Sequence, residues 1–207
     1  MRLSLGEIGR AALGLGLFAT VASALLAGTH ALTRERIELS TQERLLKNLN
    51  TLVPARRYNN TLAQDTQHLQ VPELGGPITI YRARKDGMPV AAIFTVRAPD
   101  GYSGAIDLLV GVNTDGTLAG VRVTAHRETP GLGDKIDLNV SDWILDFDGR
   151  SLNDPPPARW AVKKDGGAFD QFSGATITPR AVVGAVKRCL EFMVAQPAIV
   201  FAQETPA

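Results

Sequence analysis

The sequence predicts an α+β protein, an antiparallel sheet with packed helices, preceded by one N-terminal transmembrane helix. Three observations carry this expectation. Residues 11–33 contain no Asp, Glu, Lys or Arg. Two pairs of alternating apolar segments in the middle of the chain are each joined by a Gly-containing turn. Near the C-terminus Val182, Val186, Cys189 or Leu190, and Met193 recur at helical spacing.

The charge-free run is built on Leu13, Leu15, Leu17, Phe18, Val21, Leu25 and Leu26. It is long enough to cross the roughly 30 Å hydrocarbon layer as a helix. Gly14, Gly16 and Gly28 weaken a soluble helix but are tolerated in membrane ones. The alternative is a cleaved signal peptide with Ala22-Ser23-Ala24 as its small-residue site. The apolar run continues past Ala24 through Leu25, Leu26, Ala27 and Ala31, which favours an uncleaved anchor. No lipobox cysteine follows it, which argues against a lipoprotein. Arg2 and Arg10 precede the run, while Arg34 and Arg36 follow it, so the basic residues do not set its direction. A short N-terminal tail ahead of one span usually stays in the cytoplasm, which puts the large domain on the outer side.

From Arg36 to Leu52, Ile37, Leu45, Leu49 and Leu52 lean to one side of a predicted amphipathic helix that Pro54 ends. Asn59 to Gly76 shows no clear period and reads as loop with short elements. Ile78 to Arg84 alternates, Lys85-Asp86-Gly87 turns, and Pro89 to Val96 returns. Ile106, Leu108, Val110 and Val112 point one way along a second hairpin. Asn113-Thr114-Asp115-Gly116 turns it, and Val121, Val123 and Ala125 continue the other arm. Asn153-Asp154-Pro155-Pro156-Pro157 is a stiff extended connector. In the last helix Thr178 is expected as N-cap and Pro179 as first helical residue; Pro197 closes it, and the final residues are expected to fray. The expected organisation is a tail (1–10), anchor (11–33), stalk helix (34–58) and main domain (59–207).

Composition excludes several classes. Lys+Arg number 22 against Asp+Glu 21, with no basic run, which argues against nucleic-acid binding. A single cysteine, Cys189, forbids an intrachain disulfide or a thiolate metal cluster. His126 and Glu128 share a face if that stretch is a strand, but two ligands are too few for a metal site. Lys163 and Lys164 flank a turn and read as solvated. Trp143 and Trp160 read as core, and Cys189 as a small buried hydrophobe.

The most distinctive stretch is Asp170-Gln171-Phe172-Ser173-Gly174-Ala175-Thr176. Ser173, Gly174 and Ala175 are small and let the backbone approach a ligand closely. Thr176 lies just ahead of a predicted helix start, where free N–H groups favour an anion. With Ile177-Thr178-Pro179 the stretch resembles the flavinylation motif of the FMN-binding domain family. Two further blocks, Gly101-Tyr102-Ser103-Gly104-Ala105-Ile106 and His126-Arg127-Glu128-Thr129-Pro130-Gly131-Leu132-Gly133, extend the likeness. In order and over essentially the full length, the chain resembles the G subunits of Rnf/Rsx ion-translocating electron transport complexes. These are related to the C subunits of sodium-translocating NADH:quinone reductases; the Phe169-Asp170-Gln171-Phe172 lead-in and the short length fit the former.

The resemblance implies FMN joined to the Thr176 hydroxyl through a phosphoester. A threonine needs a base to act as a nucleophile, and none is evident nearby, which fits attachment by a separate FMN transferase using FAD. Asp170 corresponds to the acidic residue that opens the motif. The resemblance also puts Ser173, Gly174, Ala175, Thr178, Tyr102, Ser103, Thr129, Leu132 and Gly133 at the flavin, with no catalytic acid, base or metal. It implies an electron-transfer subunit in a bacterial inner membrane, main domain periplasmic, with other membrane subunits as partners. A membrane-anchored binding or scaffold module with an empty turn is the alternative of a different class.

Overall fold

In the computed structural model residues 5–202 are described; the first residues of the expected tail and the expected frayed C-terminal end lie outside them. One uninterrupted helix, α1 (Leu5–Leu52), takes in both the expected anchor and most of the expected stalk. From Thr29 to Val53 there is neither Gly nor Pro, so nothing breaks it. Its stretch Leu13–His30 has a mean hydropathy of 1.5 and no buried residue. At 1.5 Å per residue those 18 residues are about 27 Å long, close to the roughly 30 Å of a bilayer core, and the helix continues beyond them at both ends. The hydroxyls of Thr20, Thr29 and Thr33 donate to the carbonyls of Gly16, Leu25 and Thr29 at 2.8, 2.7 and 2.7 Å. Their polar groups are thereby satisfied within the helix, as they would have to be in hydrocarbon. The side chain of Ile37, expected on the stalk's apolar face, lies outside the described ones.

Met1–Leu45 forms one compact unit and Leu46–Ala207 another. The second is a five-stranded antiparallel meander: β1 (Thr66–Val71), β2 (Gly76–Lys85), β3 (Met88–Ala98), β4 (Ile106–Asn113) and β5 (Leu118–Ala125), in that spatial order. The β2–β3 hairpin closes through Asp86 and Gly87, at φ 54° and 79°, the left-handed pair a two-residue turn requires. β1 falls where the sequence suggested loop. Five of its residues, Thr66-Gln67-His68-Leu69-Gln70, are at least partly exposed, so an edge strand carries little apolar alternation to read.

One face of the sheet buries Ile80, Phe94, Val96, Ile106, Leu108, Val110 and Val112 beneath α2 (Ile177–Ala195). The face of α2 turned inward carries Val182, Val186, Cys189, Leu190 and Met193, as the helical spacing predicts. A short α3 (Pro197–Val200) follows it. On the other face Leu52, from the last turn of α1, packs over Gly111 and Gly120. Between β5 and α2 some fifty residues form only turns and short 3-10 segments. They are anchored by an aromatic cluster of Trp143, Phe147, Trp160, Phe169 and Phe172. Both tryptophans are buried core residues, and each indole N–H donates to backbone carbonyls: Trp143 to Asp170 at 2.9 Å, Trp160 to Pro155 at 2.9 Å.

Cys189 is completely buried among apolar side chains, and burial pushes its thiol well up from the usual range. The thiolate is the reactive form, so the folded protein is expected to resist a maleimide. Full labelling should appear only in denaturant; rapid labelling of folded protein would contradict this packing.

Candidate functional site

The turn holding the motif is shaped by its smallest residues. The amide of Ala175 donates to the carbonyl of Phe172 at 3.1 Å, closing a four-residue turn. Gly174 takes φ 79° at its third position, the left-handed conformation that suits glycine there. Phe172 fixes the turn from below: it is buried, with its ring 5.2 Å from that of Trp143.

Helix α2 starts at Ile177, so the N-cap is Thr176 and not Thr178 as expected. Thr178 is the second helical residue and Pro179 the third; proline is accepted throughout the first turn because those N–H groups lack helical partners. Thr176 makes no side-chain capping bond and is half-buried. Among the described residues, the amides of Ile177 and Thr178 also have no partner. A free hydroxyl thus lies beside two free N–H groups at the positive end of a 19-residue helix.

Thr178 has the opposite setting. It is fully buried, and its hydroxyl donates to Glu128 Oε2 at 2.6 Å. The other carboxylate oxygen, Oε1, accepts the Ser103 amide at 3.0 Å. Glu128 therefore joins all three sequence blocks at one point. Glycines flank it because nothing larger fits. A Cβ on Gly101 would lie 2.9 Å from Oε1, and one on Gly133 would lie 2.8 Å from both Oε2 and Thr178 Oγ1. The sequence suggested Glu128 only as half of a metal pair with His126. Instead both its oxygens are taken by protein donors, and His126 Nδ1 accepts the Glu128 amide at 3.1 Å.

A cleft of about 160 Å³ opens beside this junction, lined by Tyr102, Glu128, Thr129, Leu132, Gly133, Gly174 and Ala175. All but Glu128 are flavin-site candidates from distant blocks of the sequence, and the fold brings them together. Tyr102 is 68% exposed and Leu132 44% exposed, giving the cleft an apolar rim. Ser103 contributes its backbone to the junction, and Ser173 is exposed at the turn. Small-molecule pockets usually start near ~300 Å³, so this cleft covers only part of a flavin-sized ligand. Thr176, Ile177 and Thr178 do not line this cleft; the free hydroxyl and free amides follow directly in the chain from its lining residues Gly174 and Ala175.

The flank of the turn is held by charge. Lys163 Nζ lies 2.6 Å from Asp170 Oδ1 with both side chains more than half exposed, so this lysine is solvated, as expected, and also paired. Arg180 grips both oxygens of Asp165 at 2.7 and 3.0 Å, and that hydrogen bonding holds the Asp165 carboxyl below its ordinary range.

Comparison with known proteins places the chain in a family. The FMN-binding domain family matches residues 101–191, and the RnfG N-terminal region matches residues 1–52. The chain is 54% identical over 177 residues to the G subunit of the ion-translocating oxidoreductase complex of Escherichia coli K12, covering 84% of this chain and 85% of that one. It is 50% identical over 190 residues to the corresponding protein of Pseudoalteromonas atlantica, covering 90% and 88%. With that of Vibrio atlanticus it shares 47% over 191 residues, 91% of each chain. The chain belongs to the family of G subunits of ion-translocating oxidoreductase complexes.

Proposed function

We propose that this chain is a membrane-anchored electron carrier whose FMN is joined through a phosphoester to Thr176, within an ion-translocating oxidoreductase complex. The single observation that carries the reading is the contrast between neighbouring threonines. Thr176 is partly exposed with an uncommitted hydroxyl, whereas Thr178 is buried and bonded to Glu128. The Ile177 and Thr178 amides suit the phosphate, which the helix dipole also favours. Tyr102, Leu132, Gly174 and Ala175 offer apolar contact to the ring system. When bound, the flavin supplies the electron-accepting chemistry; the protein supplies attachment and orientation.

The shallow cleft explains why a covalent bond is useful. Noncovalent grip scales with buried surface, and here much of the ligand stays open. That openness also leaves a face for a partner to approach. Among the described residues no base is bonded to the Thr176 hydroxyl to activate it. This supports attachment by a separate FMN transferase, with Asp170 as a feature that enzyme reads. The other subunits of the complex are the electron partners.

The test is a denaturing gel viewed under ultraviolet light. Protein made with the transferase and FAD should give a fluorescent band, and protein made without it should be dark. A dark band in both cases would sink the proposal and leave a flavin-free scaffold module. We further propose that the main domain faces the periplasm of a bacterial inner membrane. Alkaline phosphatase fused at the C-terminus should then be active, and an inactive fusion of normal abundance would reverse the orientation.

A further inference from the structure

Glu128 holds an unusual position for an acidic residue. It is 4% exposed, lines the cleft, and has no basic side chain paired with it among the described residues. The carboxylates on the motif's flank differ: Asp170 faces Lys163, and Asp165 faces Arg180. The two bonds that Glu128 accepts come from an amide and a hydroxyl, which hold a negative charge in place without cancelling it. Gly101 and Gly133 lie beside the two oxygens, where a side chain as small as a methyl would crowd them, and the two hydrogen bonds hold the carboxylate in position. The fold therefore fixes a carboxylate with no basic side-chain partner among the described residues in the wall of the cleft.

We propose that Glu128 lowers the reduction potential of a flavin held in this cleft. The inference rests on the FMN reading above. Two electrons and one proton convert the oxidised ring system into a reduced form carrying one more negative charge. A fixed carboxylate in a partly desolvated wall disfavours that added charge, because Coulomb repulsion strengthens as the local dielectric falls. Glu128 touches Ser103 and Thr178 as well, so it also positions the cleft wall against the first turn of α2. The charge and the positioning have separable consequences.

The test uses the full chain in detergent with its flavin attached, titrated by spectroelectrochemistry. Glu128→Gln keeps the shape and removes the charge. It is expected to raise the potential, changing the oxidised-to-reduced ratio at fixed potential by tenfold or more, which is about 30 mV for a two-electron couple. Thr178→Val keeps the charge but removes the hydroxyl that shares it, so its potential should move the other way. Thermal melting of each variant without flavin gives a readout that needs no cofactor and reports the positioning role alone. A raised potential in Glu128→Gln with a lowered one in Thr178→Val supports the proposal, and the reverse pair of shifts overturns it. Unmoved potentials, or shifts of the same sign in both variants, overturn it and leave Glu128 as a positioning residue. If Glu128→Gln does not fold, Thr178→Val decides: a negative shift supports the proposal, and no shift or a positive one overturns it. A wild-type protein that takes up no flavin overturns the FMN reading, and this inference with it.

Discussion

Thr176→Ala is expected to abolish the fluorescent flavin band completely while leaving the protein folded. The loss is all-or-none because the proposed phosphoester has one oxygen to form on. The fold is spared because the Thr176 hydroxyl makes no capping bond. An N-cap substitution that removes such a bond costs about 0.5–2 kcal/mol, and here there is none to remove, so the cost lies below that range. Thr178→Ala would behave differently. It leaves a buried carboxylate oxygen of Glu128 without its donor, at a cost of about 1–3 kcal/mol. Gel fluorescence combined with thermal melting separates the two positions. A Thr176→Ala protein that still fluoresced after denaturation would place the attachment elsewhere.

Gly133→Ala is the second large expected effect, and it acts without backbone strain. Gly133 has φ −86°, which alanine adopts freely. Its new methyl, however, would sit 2.8 Å from Glu128 Oε2 and from Thr178 Oγ1, and 3.0 Å from Glu128 Cβ. The carboxylate or the helix must move, and the 2.6 Å bond between them lengthens or breaks. Forcing a methyl into a packed site typically costs about 1–3 kcal/mol. In a chain of this size each kcal/mol lowers the melting temperature by about 2–4 °C. Flavin incorporation should fall as well, since the start of α2 carries Thr176. Unchanged melting and unchanged incorporation would mean that the Glu128 junction does not hold the three segments together.

The sheet and its covering helix were largely legible in the sequence because apolar residues at every second position and at helical spacing reflect a buried face. Ile106 to Val112 and Val182 to Met193 are the plainest examples. The edge strand Thr66–Val71 was not legible, since an exposed edge imposes almost no apolar pattern. The start of α2 was misplaced by two residues. Pro179 signals a first turn but not which position in it, and Thr176 and Thr178 are both acceptable caps by residue type. The separate anchor and stalk proved to be one helix.

The site shows the same division. By size alone its small residues suit an ordinary helix-start turn as well as a ligand turn; the resemblance to flavin proteins singled the turn out and grouped the other two blocks with it. The role of Glu128 could not be read, because its partners Ser103 and Thr178 stand 25 and 50 residues away. A local pattern offered His126-x-Glu128 instead, and tertiary contacts decided otherwise. The Lys163–Asp170 pair was hidden for the same reason: a turn of the chain, not a helical spacing, brings them to 2.6 Å.

The proposed bond is to one particular oxygen, and peptide mass spectrometry reads it directly. Trypsin cuts after Lys164 and Arg180, releasing a peptide that holds Ser173, Thr176 and Thr178 together. From protein made with the transferase, its mass should exceed the plain sequence by FMN less one water, with fragmentation assigning the addition to Thr176. An unmodified peptide, or an addition assigned to Ser173 or Thr178, would contradict the account.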